Sequence, residues 1–454
     1  EMIGCLVGAE MCIRDRFDSR YVTLSNLTAD GNGNLGLSDT EQAGLLFEKS
    51  NDIETNSGDV TCNYCTVSNS AGSGLMIRDS VDLWLNHLVV EDNSPSYDPI
   101  SIDNSGLTLG QQGGQVNMYD VTVRTERLGT DSGPALNINR AAAIIDTVVM
   151  HGNHTGLIWN GDNNGNFPSS LSNAQLSGST CLLLVEHTYI SGSDNLITPQ
   201  CSGTITLQDS QVNWSKFTDS TQSTIINLDS FSTLHLHQPV DIALADANIA
   251  PSGEIEVAWD VSVWVQNNNS NGIPDAPVQI SFDQFEPNAQ QNTNQDGFVT
   301  FPDFIGQKWT NTGASTTSTV TVSCAYDGQS NSISTTLDTD KIVYCLLPLD
   351  NQPPFLYWDT PEDSAIFPSS SKVEFNASQS WDLDDDELVW QWTSSIDGII
   401  GDSAVFLVND GASSQALSDG IHQITAQLCD DKGNCVQQTL SLIHISEPTR
   451  QPII

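Results

Sequence analysis

Four carboxylates occupy the same place in a short segment that returns along the first half of the chain. Each stands two residues after an apolar residue, and the four are Asp120, Asp146, Glu186 and Asp209. Two carboxylates held a few ångströms apart can act as acid and base in the hydrolysis of a glycosidic bond, and a row of carboxylate oxygens can bind Ca²⁺. The alternative is that these polar residues mark the exposed corner of a repeated unit. Under an enzyme interpretation they are the candidate catalytic residues, whereas the interpretation that we favour has no catalytic residue.

A second acidic group lies near the C-terminus, in the segments DLDDDE (382–387) and CDDKGN (429–434). Its candidate metal ligands are Asp382, Asp384, Asp386, Asp430 and Asp431. Clustered Asp residues among turn residues suit Ca²⁺, which takes about six to eight oxygen ligands. If the two segments converge at one end of a domain, they form a candidate calcium site; otherwise they are solvated acidic loops. We expect no other cofactor.

Eight cysteines outside the first 16 residues fall into four pairs that are close in sequence. The pairs are Cys62/Cys65, Cys181/Cys201, Cys324/Cys345 and Cys429/Cys435. An even number of locally paired cysteines predicts structural disulfides and an oxidising, extracellular setting. For CNYC (62–65) the alternatives are a redox motif or half of a zinc site, although zinc would need two further ligands at suitable spacing.

The carboxylates belong to a repeat that predicts the architecture. Seven copies share the order apolar, any, polar, small or apolar, any, apolar: LSNLTA (24–29), CNYCTV (62–67), LNHLVV (85–90), MYDVTV (118–123), IIDTVV (144–149), LVEHTY (184–189) and LQDSQV (207–212). A second apolar segment follows each copy: GLLF (44–47), GLMI (74–77), PISI (99–102), PALNI (134–138), GLIW (156–159), NLIT (195–198) and TIINL (224–228). Constant segments separated by polar stretches of variable length indicate a solenoid rather than a sandwich.

The spacing inside each copy predicts a bend. Residues i and i+3 of a flat strand face opposite sides of a sheet, so two apolar residues at that spacing require the chain to turn at the polar residue between them. Stacked copies would then share one interior. The pattern predicts that Leu85, Met118 and Ile144 lie in register on adjacent parallel strands.

The charge of the chain limits its partners. The 454 residues carry 57 Asp and Glu against 14 Lys and Arg, a formal net charge of −43. Such a surface repels the phosphates of nucleic acids and anionic membranes, and it disfavours a polyanionic glycan while leaving a neutral one open. The sequence also has no apolar span of about 18 residues, so we expect no membrane insertion within it.

At the repeated segments the chain resembles the right-handed parallel β-helix proteins of the pectate-lyase-like superfamily. The resemblance covers about residues 17–245 and implies a fold rather than an activity, because the family includes lyases, hydrolases, adhesins and scaffolds. The family's hydrolases carry a paired Asp-Asp after Gly, with downstream Gly-His-Gly and Arg-x-Lys elements. None of these elements occurs in residues 17–245.

Two further resemblances follow after the repeat stops near residue 246. Residues 246–350 resemble a bacterial Ig-like or carboxypeptidase-regulatory-like sandwich, at PDAPV (274–278) and NQDG (294–297). Residues 351–439 resemble Ig-like domains of the polycystic-kidney-disease type, at Trp381, Trp390 and Trp392 and in the two acidic segments. The predicted fold is therefore all-β, a right-handed parallel β-helix followed by two Ig-like β-sandwich domains.

The two ends of the chain do not resemble the rest. LSLIHISEPTR (440–450) and GAEMCIRDR (8–16) back-translate to nearly the same DNA segment read on opposite strands. They resemble a translated transposon-type sequencing-library adapter, as is seen with cloning scars. We interpret residues 1–16 and 440–454 as this artefact and expect the native chain to extend beyond both ends.

Together these features favour a fragment of a secreted or cell-surface protein that is not an enzyme. Its expected role is adhesion, surface structure or glycan binding, and its expected partner is a glycan or another surface protein rather than a nucleic acid. The alternative is a β-helix carbohydrate-active enzyme, either a glycoside hydrolase or a polysaccharide lyase, with accessory Ig-like modules.

Overall fold

The structure, a computed structural model, contains only β-strands as regular secondary structure in the residues that it describes. These residues are 22–30, 43–48, 60–91, 97–106, 115–125, 134–152, 155–161, 169–178, 180–198, 201–221, 223–313, 315–349, 352–368, 371–409 and 416–445. The all-β prediction is confirmed. The N-terminal segment 1–16 and residues 446–454 lie outside the described residues.

The described residues up to position 249 form twenty-one short strands. They are β1 (Val22–Ser25), β2 (Thr28–Asp30), β3 (Leu45–Glu48), β4 (Val60–Ser68), β5 (Leu75–Arg78), β6 (Leu83–Glu91), β7 (Ile100–Asp103), β8 (Val116–Thr125), β9 (Leu136–Asn139), β10 (Ala143–Gly152), β11 (Thr155–Asn160), β12 (Ser169–Gly178), β13 (Thr180–Glu186), β14 (Tyr189–Ser193), β15 (Leu196–Ile197), β16 (Ser202–Gln208), β17 (Gln211–Ser215), β18 (Thr218–Asp219), β19 (Ile225–Leu228), β20 (Thr233–His237) and β21 (Asn248–Ile249).

These strands alternate between two sheets whose neighbours are parallel. The first sheet runs β1-β4-β6-β8-β10-β12-β14-β17-β20, and the second runs β21-β19-β16-β13-β11-β9-β7-β5-β3. Each turn of the chain therefore adds one strand to each sheet, a topology compatible with a parallel β-helix. Apolar side chains from both sheets form one continuous buried core.

The core consists of stacked columns, and the predicted bend separates two of them. Leu85 pairs with Met118 in parallel register, as predicted. Met118 pairs with Ile145 rather than Ile144, so the predicted register of the fifth copy is wrong by one residue. The side chain of Ile145 is fully buried whereas Ile144 faces outwards. Because both residues are isoleucine, the apolar pattern fits either choice.

The sixth and seventh copies were assigned to the wrong sheet. Leu184 and Leu207 lie in β13 and β16 of the second sheet, and the segment 195–198 contributes β15, which pairs with β12 of the first sheet. The first sheet instead uses Leu171–Leu176 of β12, a copy that the analysis missed. The turns are shorter here, since Tyr189 pairs with Gln211 and Gln211 with Thr233, and this shortening shifts the phase of the pattern.

The middle unit (residues 254–349) has eight strands. They are β22 (Glu254–Gln266), β23 (Pro277–Phe282), β24 (Ala289–Asn292), β25 (Phe298–Trp309), β26 (Ser315–Thr317), β27 (Thr319–Tyr326), β28 (Gln329–Thr336) and β29 (Lys341–Leu346). One sheet contains β29-β22-β25-β26 and the other β24-β23-β27-β28, and their side chains share a core. The first half of β22 also pairs in parallel with β20, so this strand extends the first sheet beyond residue 245.

The described residues of the C-terminal unit (352–368, 371–409 and 416–445) form seven strands around a third core. They are β30 (Ala365–Pro368), β31 (Val373–Asn376), β32 (Val389–Ser394), β33 (Gly398–Gly401), β34 (Val405–Val408), β35 (Gly420–Cys429) and β36 (Cys435–Ile445). Strand β36 includes residues 440–445, which pair with both β30 and β35. These residues belong to the segment 440–454 that we interpreted as an adapter, and within β36 the side chains of Leu440, Leu442 and His444 alternate into the interior.

Candidate functional site

In the first six described turns of the first sheet, one residue with a left-handed backbone builds the bend. These residues are Asn26, Tyr64, His87, Asp120, Thr147 and Asn173, and their φ angles lie between 51° and 59°. Asn, Asp and His tolerate this conformation better than most residues, which explains the polar position of the repeat. The registers place the six residues above one another, so their side chains form a line along the outside of the coil.

Two pairs of aromatic rings lie on the outside of β4, β6 and β8, and we call the two pairs together the aromatic patch. Its members are Tyr64, Trp84, His87 and Tyr119. The rings of Tyr64 and His87 stack with centroids 4.4 Å apart and planes 9° apart. Trp84 and Tyr119 lie nearly parallel at 6.0 Å. Tyr64 is 59% exposed and Trp84 37% exposed, so two large aromatic faces are open to solvent.

Hydrogen-bonding groups lie directly beside these rings. His87 Nδ1 is 2.5 Å from Asp120 Oδ2, and the side-chain amide of Asn86 donates to Asn63 Oδ1 at 2.7 Å. Aromatic faces with polar groups at their edges suit a ligand that has both an apolar face and hydroxyl groups.

A disulfide lies underneath the patch. Cys62 and Cys65 are fully buried and bonded to each other, and they stand on either side of the bend at Tyr64. The cross-link holds the two strand segments that meet at this bend. The alternative interpretations of CNYC as a redox motif or zinc half-site therefore give way to a buried structural disulfide.

The other predicted disulfides are present where the structure describes both side chains. Cys324 is bonded to Cys345, and Cys429 to Cys435. Cys201 is also disulfide-bonded, whereas the side chain of Cys181 lies outside the described residues. In the residues that the structure describes, no helix is long and apolar enough to cross a membrane. The disulfides are compatible with an extracellular protein.

The predicted stack of carboxylates is not formed. Asp120 lies at the bend, but Asp146 precedes the bend of its own turn, where Thr147 stands instead. Asp146 Oδ1 accepts hydrogen bonds from Asn173 Nδ2 at 2.6 Å and from the Thr147 hydroxyl at 3.2 Å. Asp120 contacts His87 of the preceding turn, whereas Asp146 contacts Asn173 of the following turn. The two carboxylates therefore have separate partners.

The remaining two carboxylates belong to the other sheet. Glu186 ends β13 and accepts a hydrogen bond from Asn160 Nδ2 at 3.5 Å. Asp209 follows β16, and its Oδ2 is 3.1 Å from His187 Nδ1. Sequence analysis placed them in the column of Asp120 because the shortened turns had shifted the phase of the repeat.

The C-terminal acidic segments do come together, through a lysine. Lys432 Nζ lies 2.6 Å from Asp431 Oδ1 and 3.4 Å from Asp386 Oδ1. The carboxylate of Asp430 instead binds its own turn, accepting from the backbone N–H groups of Lys432 and Asn434 and from the Asn434 amide.

Asp382 and Asp384 serve the contact between the middle and C-terminal units. Asp384 accepts a hydrogen bond from Asn267 Nδ2 at 3.2 Å and another from the Gln352 backbone at 2.7 Å. Asp382 is 6% exposed, and its Oδ1 accepts the N–H of Asp384 at 2.7 Å. Burial, together with the negative charges of Asp384 and Asp386, raises the pKa of Asp382.

Two carboxylate oxygens in this loop are buried and unpartnered, Asp382 Oδ2 and Asp386 Oδ2. Of the five predicted ligands, only these two residues therefore offer a free buried oxygen. In the part of the chain that the structure describes, no group of three or more His, Cys, Asp or Glu side chains has an arrangement that could hold a metal ion. The five-residue calcium site stays a prediction.

Sequence analysis missed the aromatic patch. Its members stand at different positions of the repeat, since Tyr64 and His87 occupy the bend while Trp84 and Tyr119 occupy outward strand positions. The usable signal is that large aromatic residues recur at outward-facing positions of three consecutive turns.

Comparisons with known proteins give no family. No protein-family profile and no curated protein matches the chain. Among solved structures, the chain is similar to the fibronectin(III)-like modules of Clostridium thermocellum CbhA, with 11% identity and a TM-score of 0.18. That alignment covers 42% of this chain and 95% of the other, and the superposition is too poor to support an argument on fold or function.

Proposed function

We propose that this chain is part of a secreted or cell-surface protein that binds a neutral glycan through the aromatic patch without cleaving it. The observation that supports this function is the pair of exposed aromatic stacks, Tyr64 with His87 and Trp84 with Tyr119. One face of a pyranose ring consists of C–H groups, which pack on an aromatic face, while its hydroxyl groups reach polar side chains at the edge. Asn63, Asn86 and Asp120 would supply those contacts.

The same proposal includes the finer architecture. The two parallel sheets form a right-handed β-helix, which presents the patch on a stiff body, and the middle and C-terminal units are Ig-like domains that extend the chain from it. Roles in adhesion and surface structure follow from such a rod, and glycan binding is the role for which this chain has a built surface.

The charge of the chain selects the ligand class. A net charge of −43 makes the approach of uronate or sulfate polymers unfavourable at low ionic strength. A neutral oligosaccharide has no such barrier, and its affinity should depend little on salt.

The test is calorimetric titration of the full chain with cellohexaose, xylohexaose and mannohexaose, with hexagalacturonate as the anionic comparison. We expect binding to at least one neutral hexasaccharide, and roughly tenfold weaker binding after the paired substitution Tyr64→Asn/Trp84→Thr. Asn tolerates the left-handed backbone at position 64, and Thr suits a strand at position 84, so the variant retains its local conformation.

Tyr189→Thr is the matched control, because Tyr189 is 44% exposed in the same sheet but outside the patch. An unchanged affinity in the paired variant would refute the patch as the binding surface. Release of shorter sugars by the wild type, abolished by Asp120→Asn or Asp146→Asn, would establish the rival carbohydrate-active enzyme instead.

Calcium is the second candidate ligand, in a reduced form. Asp382 and Asp386 would each contribute one buried oxygen that has no other partner, and water and backbone carbonyls would complete the shell that Ca²⁺ requires. The ion would offset the mutual repulsion of the carboxylates in this loop and hold the loop in place.

A further inference from the structure

Three aromatic side chains form a line across the outer face of one sheet in the middle unit. Trp264 of β22 lies opposite Phe298 of β25 on one side and opposite Tyr344 of β29 on the other. The residues that alternate with them point into the core, so the three rings lie on the outside. The Trp264 and Phe298 centroids are 5.1 Å apart, and Tyr344 is 59% exposed.

Polar side chains of β22 and β25 flank this line, together with exposed apolar residues of β29. The next row toward the coil contains Ser262 and Thr300, whose hydroxyl oxygens are 3.1 Å apart, and the exposed Ile342 opposite Ser262. The row on the other side contains Gln266, opposite Leu346. Hydroxyl and amide groups thus stand within one residue pair of the rings, where they can meet the hydroxyl groups at the edge of a sugar.

The backbone that carries the rings is held from behind. Tyr344 is followed by Cys345, which points into the core and is bonded to Cys324 of the opposite sheet. Trp264 lies within the 13-residue strand β22, which is paired on both sides. A preformed line loses little conformational entropy when a ligand binds.

The size of the surface favours an oligosaccharide over a protein. Three strands and three rows span about 10 Å by 14 Å, whereas a specific protein interface covers about 800 Å² on each partner. The strands that carry the rings lie about 4.8 Å apart, which is close to the advance of one sugar in an extended pyranose chain. The planes of the Trp264 and Phe298 rings are inclined to each other by 54°. Asp260 and Asp340 bound the surface at the end near the coil and repel anions, and the backbone N–H of Asp260 donates to Asp340 Oδ1 at 2.9 Å.

We propose that the line Phe298–Trp264–Tyr344 is a second binding site for a neutral, extended polysaccharide chain, separate from the aromatic patch. Each ring packs against the apolar face of one sugar in the chain. The two sites lie on different units of the same polypeptide, so a long glycan or a dense glycan surface can engage both and is retained by multivalency.

The test titrates the full chain with the three neutral hexasaccharides and compares the wild type with Tyr64→Asn/Trp84→Thr, with Tyr344→Thr and with the variant that combines all three substitutions. We expect Tyr344→Thr to lose one calorimetric site and the combined variant to lose all binding. Tyr344→Phe retains the ring and should bind like the wild type, and Tyr357→Thr removes an equally open tyrosine of the C-terminal unit as a control.

The outcomes separate this site from the first. If Tyr64→Asn/Trp84→Thr abolishes all binding and Tyr344→Thr changes nothing, the second site is refuted while the aromatic patch stands. If only Tyr344→Thr weakens binding, the second site stands and the patch fails. If Tyr344→Thr changes only the oligomeric state seen by light scattering, the surface is a contact between copies and the proposal is overturned, as it is when the wild type binds no neutral hexasaccharide.

Discussion

At the scale of single residues, the left-handed bend governs both the shape of the coil and the surface it presents. Asn26, Asp120 and Asn173 suit this conformation, because a short polar side chain tolerates positive φ. Tyr64 and Thr147 do not share that preference. At Tyr64 the unfavourable backbone accompanies a ring that is used in the aromatic patch, and the buried disulfide beside it holds the turn. Among the described residues, the side chain of Thr147 makes only an exposed hydrogen bond to Asp146.

Replacing Thr147 should therefore stabilise the coil. A β-branched residue at φ 59° is strained, and such strain typically amounts to ~1–3 kcal/mol. We expect Thr147→Asn to raise the free energy of unfolding by about 1 kcal/mol in urea denaturation. Asn173→Thr at the next bend is the matched reverse change and should lower it by a similar amount. Equal stability of the two variants would contradict this account of the bend.

At the scale of elements, strand β22 belongs to both the coil and the middle unit. Its first half extends the first sheet of the coil beside β20, and its second half forms the centre of a sheet in the middle unit. A network of charged side chains lies where β22 passes from the coil into the middle unit. His235 Nδ1 lies 3.1 Å from Glu256 Oε2 and its Nε2 lies 2.9 Å from Asp303 Oδ1. Lys308 Nζ binds Glu256 at 2.5 Å and Glu254 at 3.3 Å.

This network should make the junction sensitive to alkaline pH. Burial alone would lower the pKa of His235, but the hydrogen bonds and charges of Asp303 and Glu256 outweigh it and raise the pKa from 6.5 to about 9. A pKa raised on folding gives stability that is complete below pH 6.5 and is lost as the pH rises through about 9. We expect Tm to fall by a few degrees across this window in calorimetry, and His235→Gln to remove most of the slope.

His187→Gln is the control for that measurement, because the His187–Asp209 pair is exposed and exposed pairs contribute little to stability. A slope that persists in His235→Gln would show that other groups, and not this histidine, produce the alkaline loss of stability.

At the scale of the whole molecule, three cores follow one another and the joints between them are specific. Leu383 of the C-terminal unit is fully buried in the core of the middle unit. Its carbonyl accepts the side-chain amides of Asn267 at 2.9 Å and Asn271 at 2.7 Å. The acidic loop around it is therefore part of the joint, and Asp382 and Asp386 flank the inserted leucine.

Calcium should strengthen this joint. If Ca²⁺ binds the free oxygens of Asp382 and Asp386, it stabilises the folded chain by mass action, about 2.7 kcal/mol at 100 times the dissociation constant. We expect millimolar Ca²⁺ to raise Tm of the full chain and Asp382→Asn to abolish the rise. Asp431→Asn is the matched control, since that carboxylate contacts Lys432 and lies outside the loop. A Tm that does not respond to Ca²⁺ would remove the calcium proposal.

For the aromatic patch and the line at Trp264, only part of each surface could be predicted from the sequence. The sequence shows the residue types. The patch, however, also requires that Tyr64 and His87 share one column and that Trp84 and Tyr119 lie on neighbouring strands, which depends on how turns of unequal length stack. The line requires a parallel pairing of β22 with β29, which are separated by more than 70 residues in the chain. No local pattern specifies such a pairing.

The sequence by itself determined an all-β chain, a repeat with a bend, and three of the disulfides, because strand alternation, the i and i+3 spacing and neighbouring cysteines are local properties. Only the tertiary structure decided that Ile145 rather than Ile144 enters the core and that Glu186 and Asp209 belong to the second sheet. It also divided the acidic residues between a lysine contact and a joint. The physical reason is that strand register depends on how turns of different length stack. The packing energy that decides the register is summed over neighbours that are distant in sequence.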